Sequence, residues 1–463
     1  MANFDYPPTN YTLSKRKSNF LKKTITTLCF YISLFLLVGS HLLNAGIEVE
    51  NRQTLFQGMT ALGIVFSVVS TFLLDVESRK LLLGKVSIFY GSALLIYTLI
   101  GWILWNNDTK FIAIDLSAFL AVYAGFALFR LLLKSYYPKI QLVLLIFLGS
   151  LVIYLNLYLE AVRLKLLSTV GQEMRVAEFT GTGQYNAFLD VVNSFAIVVL
   201  CRAGWAWNII VWGLVIFRAY SMLFLNARRS ATISIIVLVL LSVLVLSYRL
   251  SNGILSNNSS IFNIQRLRLI FVCFGILLLF LGFGEFNLGK LFGHTLIEER
   301  LFNPSASAKL STELRFVEVN YGIESMQDID WIFGRGMGAS FVKPALITGY
   351  NNSLGNTFHI GIFSFLIKGG LILFLPCLYI IFFRIPLLFY TALIKPNAFN
   401  PQRRTALLSI LPGLISWSVS LLTVGHLLPI LCLPIGFAFA VYSHVEKNGL
   451  RLGDTSQCND TKN

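Results

Sequence analysis

The sequence predicts an all-α polytopic membrane protein of about twelve transmembrane helices with one large loop on the outer face. Three observations carry this. The chain is 56% hydrophobic and only 13% charged, a balance far from that of a soluble domain. Unbroken runs of about 20 apolar residues recur along its length, each long enough to span the roughly 30 Å hydrocarbon core as a helix. Lys and Arg gather in alternate connections between those runs, and so on one side, as the positive-inside rule requires.

These observations also exclude other classes. A closed β-barrel needs alternation of apolar and polar residues, and these runs do not alternate. The net charge of +15 does not indicate nucleic acid, because the cations sit where they orient helices. Six cysteines, mostly inside apolar segments, lack the paired spacing of a disulfide framework or metal site. No metal or cofactor is expected. The N-terminal basic stretch precedes an apolar run too long for a cleavable signal, so it reads as a retained signal-anchor helix.

In chain order, the first helix spans about 26–45, behind Lys15, Arg16, Lys17, Lys22 and Lys23, which hold the N-terminus in the cytoplasm. The second (about 54–74) returns to Arg79, Lys80 and Lys85, and the third (86–105) exits at Asn106-Asn107-Asp108. The fourth (111–129) comes back to Arg130 and Lys134, and the fifth (140–159) leads to an outer loop over 160–186. The sixth (about 187–200), seventh (205–225), eighth (231–248) and ninth (269–284) complete an N-terminal bundle, residues 1–284. Residues 285–370 form the large outer loop. The tenth (371–393), eleventh (406–424) and twelfth (427–442) helices make up 371–446, and residues 447–463 form a polar cytoplasmic tail. Both termini then lie inside. Trp102, Trp105, Trp205 and Trp207 fall at helix ends, as an aromatic belt does.

Three arginines break the positive-inside pattern. Arg228 and Arg229 stand at the outer end of the seventh helix, and Arg218 lies two to three turns deeper, on the face shared with Arg229. A cationic face at that surface suits an anionic lipid headgroup such as a phosphate or pyrophosphate, which guanidinium binds in bidentate fashion. The plainer account is that Arg228 and Arg229 snorkel to lipid phosphates. Asp190 and Asp115, each near the outer end of its helix, read equally as structural ion-pair partners or as catalytic groups.

The large loop reads as helical pieces rather than strands. Ser311 to Val319 opens with a capping-like Ser-x-Glu and carries Arg315 between Glu313 and Glu318, an arrangement that a simple salt bridge also explains. Gly334-Arg335-Gly336-Met337-Gly338 lacks the strand and helix of a nucleotide-binding fingerprint, and reads as a tight turn whose backbone amides face a ligand. His359 precedes a short amphipathic segment, Ile360 to Lys368, and the Gly369-Gly370 break. It suits a general base or a donor to a leaving phosphate, or a structural histidine; His294 and His426 compete with it.

Taken in order, Arg228-Arg229-Ser-Ala-Thr opening a helix, a large loop with an Arg-bearing helix, the Gly-x-Gly-x-Gly turn, and His359 followed by Leu366-Ile367-Lys368-Gly369-Gly370 form a pattern. It resembles the bacterial O-antigen ligase and O-antigen (Wzy-type) polymerase superfamily over roughly residues 181–393. The resemblance implies a GT-C-like, metal-independent glycosyltransferase in the bacterial inner membrane, its large loop periplasmic. Its donor would be an undecaprenyl-pyrophosphate-linked glycan, and a flippase and chain-length regulator would be partners. By the same resemblance Arg229, Arg315 and His359 are catalytic, with Arg218, Arg228, Arg229 and Arg315 on the pyrophosphate. Members often carry His-Asn where this chain has His359-Ile360, so no asparagine role transfers. The Lys-Gly-Gly ending favours a polymerase. The alternatives are a ligase acting on lipid A core and, outside the enzymes, a lipid-linked oligosaccharide flippase or other transporter. A transporter predicts a two-fold repeat of helices, which this sequence does not display.

Overall fold

In the computed structural model the described residues are 24–33, 35–37, 52–74, 76–134, 191, 194, 197, 211–213, 229–255, 306–343, 353–355, 358, 360–395, 399, 401–423, 432 and 434–441. Among them the chain is predominantly helical. Four helices are long and apolar enough to cross a membrane, at Gln57–Leu74, Lys85–Leu104, Thr109–Leu128 and Ile362–Ile394. Shorter apolar helices lie at Thr24–Leu37, Ile233–Leu246 and Leu407–Val419. The fifth and ninth expected spans, most of the sixth and seventh, and the cytoplasmic tail lie outside the described residues.

The elements are α1 (Arg52–Leu74), α2 (Val76–Leu82), α3 (Lys85–Leu99) and α4 (Thr109–Lys134), then α5 (Arg229–Leu255). The segment expected as the large loop contributes α6 (Ala306–Glu324), α7 (Asp328–Phe333) and strands β1 (Phe341–Lys343) and β2 (Ser353–Gly355). After it come α8 (Ile362–Leu378), α9 (Ile385–Ile394) and α10 (Pro401–Thr423). α3 runs on through a π-helical turn, Ile100–Leu104, and a second such turn, Tyr379–Arg384, joins α8 to α9.

Polarity within these helices is inverted relative to a water-soluble bundle. α3 buries Ser87, Tyr90 and Tyr97 while Ile88, Phe89, Leu95 and Ile96 are exposed. The buried hydroxyls find backbone partners on the neighbouring helix: Tyr90 Oη donates to the Phe119 carbonyl (2.9 Å), and Tyr123 Oη to that of Ser87 (2.7 Å). Serines join other helices in the same way. Ser33 Oγ donates to the Gly63 carbonyl (2.8 Å) and Ser194 Oγ to that of Ser409 (2.7 Å). Ser234 Oγ and Ser416 Oγ lie 2.8 Å apart between α5 and α10. Small polar side chains of this kind are the usual glue between helices in lipid, where apolar contact alone gives no preference for protein over solvent. Gly436, in the helical stretch 434–441, seats directly on the Val122–Phe126 backbone of α4.

Three expectations need correction. The loop is not only helical, because β1 and β2 form an antiparallel pair with Val342 opposite Leu354. Ser311 is not a cap, because α6 already begins at Ala306 and places it inside the helix. The segment before the Gly369-Gly370 break is not amphipathic but buried on every side: Ile362, Ser364, Phe365, Leu366, Ile367 and Lys368 are all enclosed. The physical cause is packing against α4, where Phe119 meets Phe365 edge-on at 5.5 Å.

Candidate functional site

Among the described residues, the turn Gly334–Gly338 joins the segment 306–343 to the long apolar helices. Its three glycines have positive φ (+71°, +77° and +80°), which side chains with a Cβ rarely adopt. At Gly336 a Cβ would also strike the backbone of Gly101, in the π-turn that ends α3. A residue with no side chain there lets two backbones touch.

The amides of this turn were expected to face a ligand; they face protein. Gly334 N–H donates to the Asp330 carbonyl (2.8 Å), closing α7. Arg335 and Gly336 donate to the carbonyls of Ile367 (2.8 Å) and Lys368 (2.9 Å), and Met337 to that of Tyr97 (2.9 Å). Gly338 donates to Asp115 Oδ2 (2.7 Å). The reason lies in α8. At Gly370 its backbone leaves helical geometry (φ 58°, ψ −164°), so the carbonyls of the preceding turn lose their intrahelical donors. The Gly334–Gly338 turn supplies two of the missing donors, and Tyr97 Oη supplies a third, to Gly369 O at 2.9 Å. Asn107 Nδ2 completes the joint by donating to the carbonyls of Arg335 (3.0 Å) and Met337 (2.9 Å).

Beneath this joint Lys368 Nζ is ion-paired and hydrogen-bonded to Asp115 Oδ2, both side chains essentially without solvent exposure. The acid is on α4 and the base is on the last turn before the break in α8. Desolvating two charges is expensive, and only their mutual attraction with added hydrogen bonds offsets it. Asp115 has that support from Gly338 N–H. Of the two accounts the sequence left open for Asp115, the structure displays the ion pair.

Arg335 escaped notice in the sequence, where a cation between glycines gives no signal. Its Nε donates to Asp330 Oδ2 (2.8 Å), its Nη1 reaches Ser325 Oγ (3.3 Å), and its guanidinium lies 5.3 Å from the Trp105 ring centre. Asp330 in turn accepts from Gln327 N–H (2.9 Å), closing a capping box at the start of α7. The side chain of Arg335 therefore ties α7 to the end of the π-turn that extends α3.

Of the arginines and histidine predicted to form the site, Arg315 is half-buried on α6. Arg229 is the first residue of α5, two residues earlier than expected, and nothing further is described for its side chain. Arg218, Arg228 and His359 lie outside the described residues, as does Asp190. Arg315 shares a helix face with Val319 and Gly322, four and seven residues on. Val319 is buried, and Gly322 abuts the ring of Phe358, which stacks on Phe341 of β1 at 4.3 Å. Phe358 N–H donates to Ser364 Oγ (3.2 Å) in the first turn of α8. The Arg315 face of α6 thus lies along the residue that immediately precedes His359. Among the described residues, no group of three or more His, Cys, Asp and Glu is arranged to hold a metal ion.

No protein-family model, curated protein or solved structure matches this chain.

Proposed function

We propose that this protein is a membrane glycosyltransferase that polymerises undecaprenyl-pyrophosphate-linked repeat units into O-antigen or a related surface polysaccharide. It works at the outer leaflet of the bacterial inner membrane, in a GT-C-like bundle of about twelve helices with both termini cytoplasmic. The observation that supports this best is the packing of the Arg315 face of α6 against Phe358, next to His359. Arg315 and Gly322 are seven residues apart, about 10 Å along a helix. The helix that carries Arg315 thus packs against the segment that leads into His359, which favours a shared role for the two on one headgroup.

In this reading an acceptor sugar hydroxyl attacks the anomeric carbon of the lipid-linked glycan. The new carbon–oxygen bond forms as the bond to the pyrophosphate oxygen breaks, and undecaprenyl pyrophosphate leaves with the electron pair. Arg229 and Arg315, with Arg218 and Arg228 beside them, neutralise the charge growing on that leaving group. His359 either takes the proton of the hydroxyl or holds the phosphate, the proton then passing to the departing pyrophosphate.

The test is a gene deletion in the host, complemented by wild type or by Arg229→Ala, Arg315→Ala or His359→Ala, with polysaccharide profiled by gel and mass spectrometry. Single repeat units in place of a ladder, restored by wild type and by none of the variants, support the proposal. Long chains held on undecaprenyl pyrophosphate would indicate a ligase instead, and an unchanged profile would indicate transport or another function.

A further inference from the structure

We propose that α7 (Asp328–Phe333) is an in-plane membrane anchor, seated in the outer lipid interface, that pins the large loop to the bilayer surface. The first ground is its inverted polarity. The one buried side chain of this helix is the carboxylate Asp330, turned inward onto Arg335. The outward residues Ile329, Trp331, Ile332 and Phe333 are apolar and between 37% and 61% exposed. A loop segment in water places its polar groups outward, and contiguous apolar patches of this kind mark a surface that something apolar covers.

The second ground names the cover. Gly370, where α8 begins its lipid-facing stretch, abuts the Ile332 carbonyl of α7. From Gly370 onward Leu371, Ile372 and Leu375 are exposed on a span long enough to cross the membrane. On the other side, Arg335 stacks on Trp105, directly after the exposed Trp102, Ile103 and Leu104 that end another span. α7 therefore sits at the boundary between two spans and the loop, and its apolar residues continue the surface that those spans present to lipid. An aromatic and aliphatic set at this level, with Asp328 exposed at its polar start, is the composition of an interfacial helix. The inference does not depend on the glycosyl-transfer reading.

The test uses the full-length protein in phosphatidylcholine–phosphatidylglycerol vesicles. The fluorescence lost in Trp331→Phe is measured with lipids brominated near the headgroup or near the chain end, and with aqueous iodide. The expected result is at least two-fold stronger quenching of the Trp331 component by the shallow bromines than by either the deep bromines or iodide. Quenching mainly by iodide would overturn the proposal in favour of an aqueous patch. Insensitivity to all three would overturn it in favour of a protein partner or a second copy. A nitroxide attached at Ile332→Cys provides an independent reading, since a lipid site gives more relaxation by oxygen than by a water-soluble nickel complex. The reverse order would also overturn the proposal.

Discussion

Lys368 Nζ donates to Asp115 Oδ2 although the two residues stand 253 positions apart and neither has more than 1% exposure. The pair joins α4 to the turn of α8 just before its break, and Gly338 of the glycine turn donates to the same oxygen. Three separate pieces of chain thus depend on one carboxylate. Removing one member of a buried pair leaves an uncompensated charge, at about 3–5 kcal/mol.

Asp115→Asn keeps the size of the side chain and an acceptor for Gly338, but strands the Lys368 ammonium. Its midpoint of thermal unfolding in detergent is expected to fall by many degrees relative to wild type. The double variant Asp115→Asn with Lys368→Met is expected to recover much of the loss, because the stranded charge is gone. Equal instability of single and double variants would show that the pair's charge is not what matters.

Gly336→Ala tests the contact of the glycine turn with the π-turn that extends α3. It places a Cβ at φ +77° and against the Gly101 backbone, so a loss exceeding about 1–3 kcal/mol is expected. Gly58→Ala in α1 is the control: no atom lies within 4 Å of the added carbon, and alanine is the better helix former by about 1 kcal/mol. Thermal unfolding should move in opposite directions for the two variants.

Tyr97→Phe removes only the hydroxyl that donates to Gly369 O. The carbonyl at the break in α8 then loses a partner in a buried place, at about 1–3 kcal/mol. Limited proteolysis should show faster cleavage within residues 306–343, while Tyr390→Phe, on the exposed face of α9, leaves the rate unchanged.

Ser416→Ala separates α5 from α10 energetically. Ser416 Oγ donates to the Ser234 carbonyl at 2.6 Å and lies beside Ser234 Oγ. Hydrogen bonds between membrane helices average about 0.6 kcal/mol and reach about 1.7, so a small but measurable fall in unfolding midpoint is expected. A loss comparable to that of Asp115→Asn would contradict this ranking.

The helical membrane class was legible because the bilayer imposes a length and a composition that no folding detail can waive. The described spans at Gln57–Leu74, Lys85–Leu104 and Thr109–Leu128 fall where apolar runs and basic flanks put them. The alternate glycines of 334–338 were also visible as a turn. Their target was not, because an amide's partner depends on which acceptors folding brings near. The break at Gly370 exposes those acceptors, and it lies more than thirty residues further along the chain.

For the candidate site the division is the same. The sequence placed Arg315 on a helix, and the structure has it on α6. It was equally silent on which face of α6 meets Phe358, since helical periodicity gives faces without naming neighbours. Local pattern decides which segments are helical and which cross lipid, because hydrogen bonds within a helix and transfer of its side chains are local quantities. Only the tertiary structure decided that Asp115 answers Lys368 and that α7 turns its carboxylate inward and its aromatic residues outward. Pairing of buried charges is set by which distant segments share a desolvated space, and no spacing along the chain encodes that.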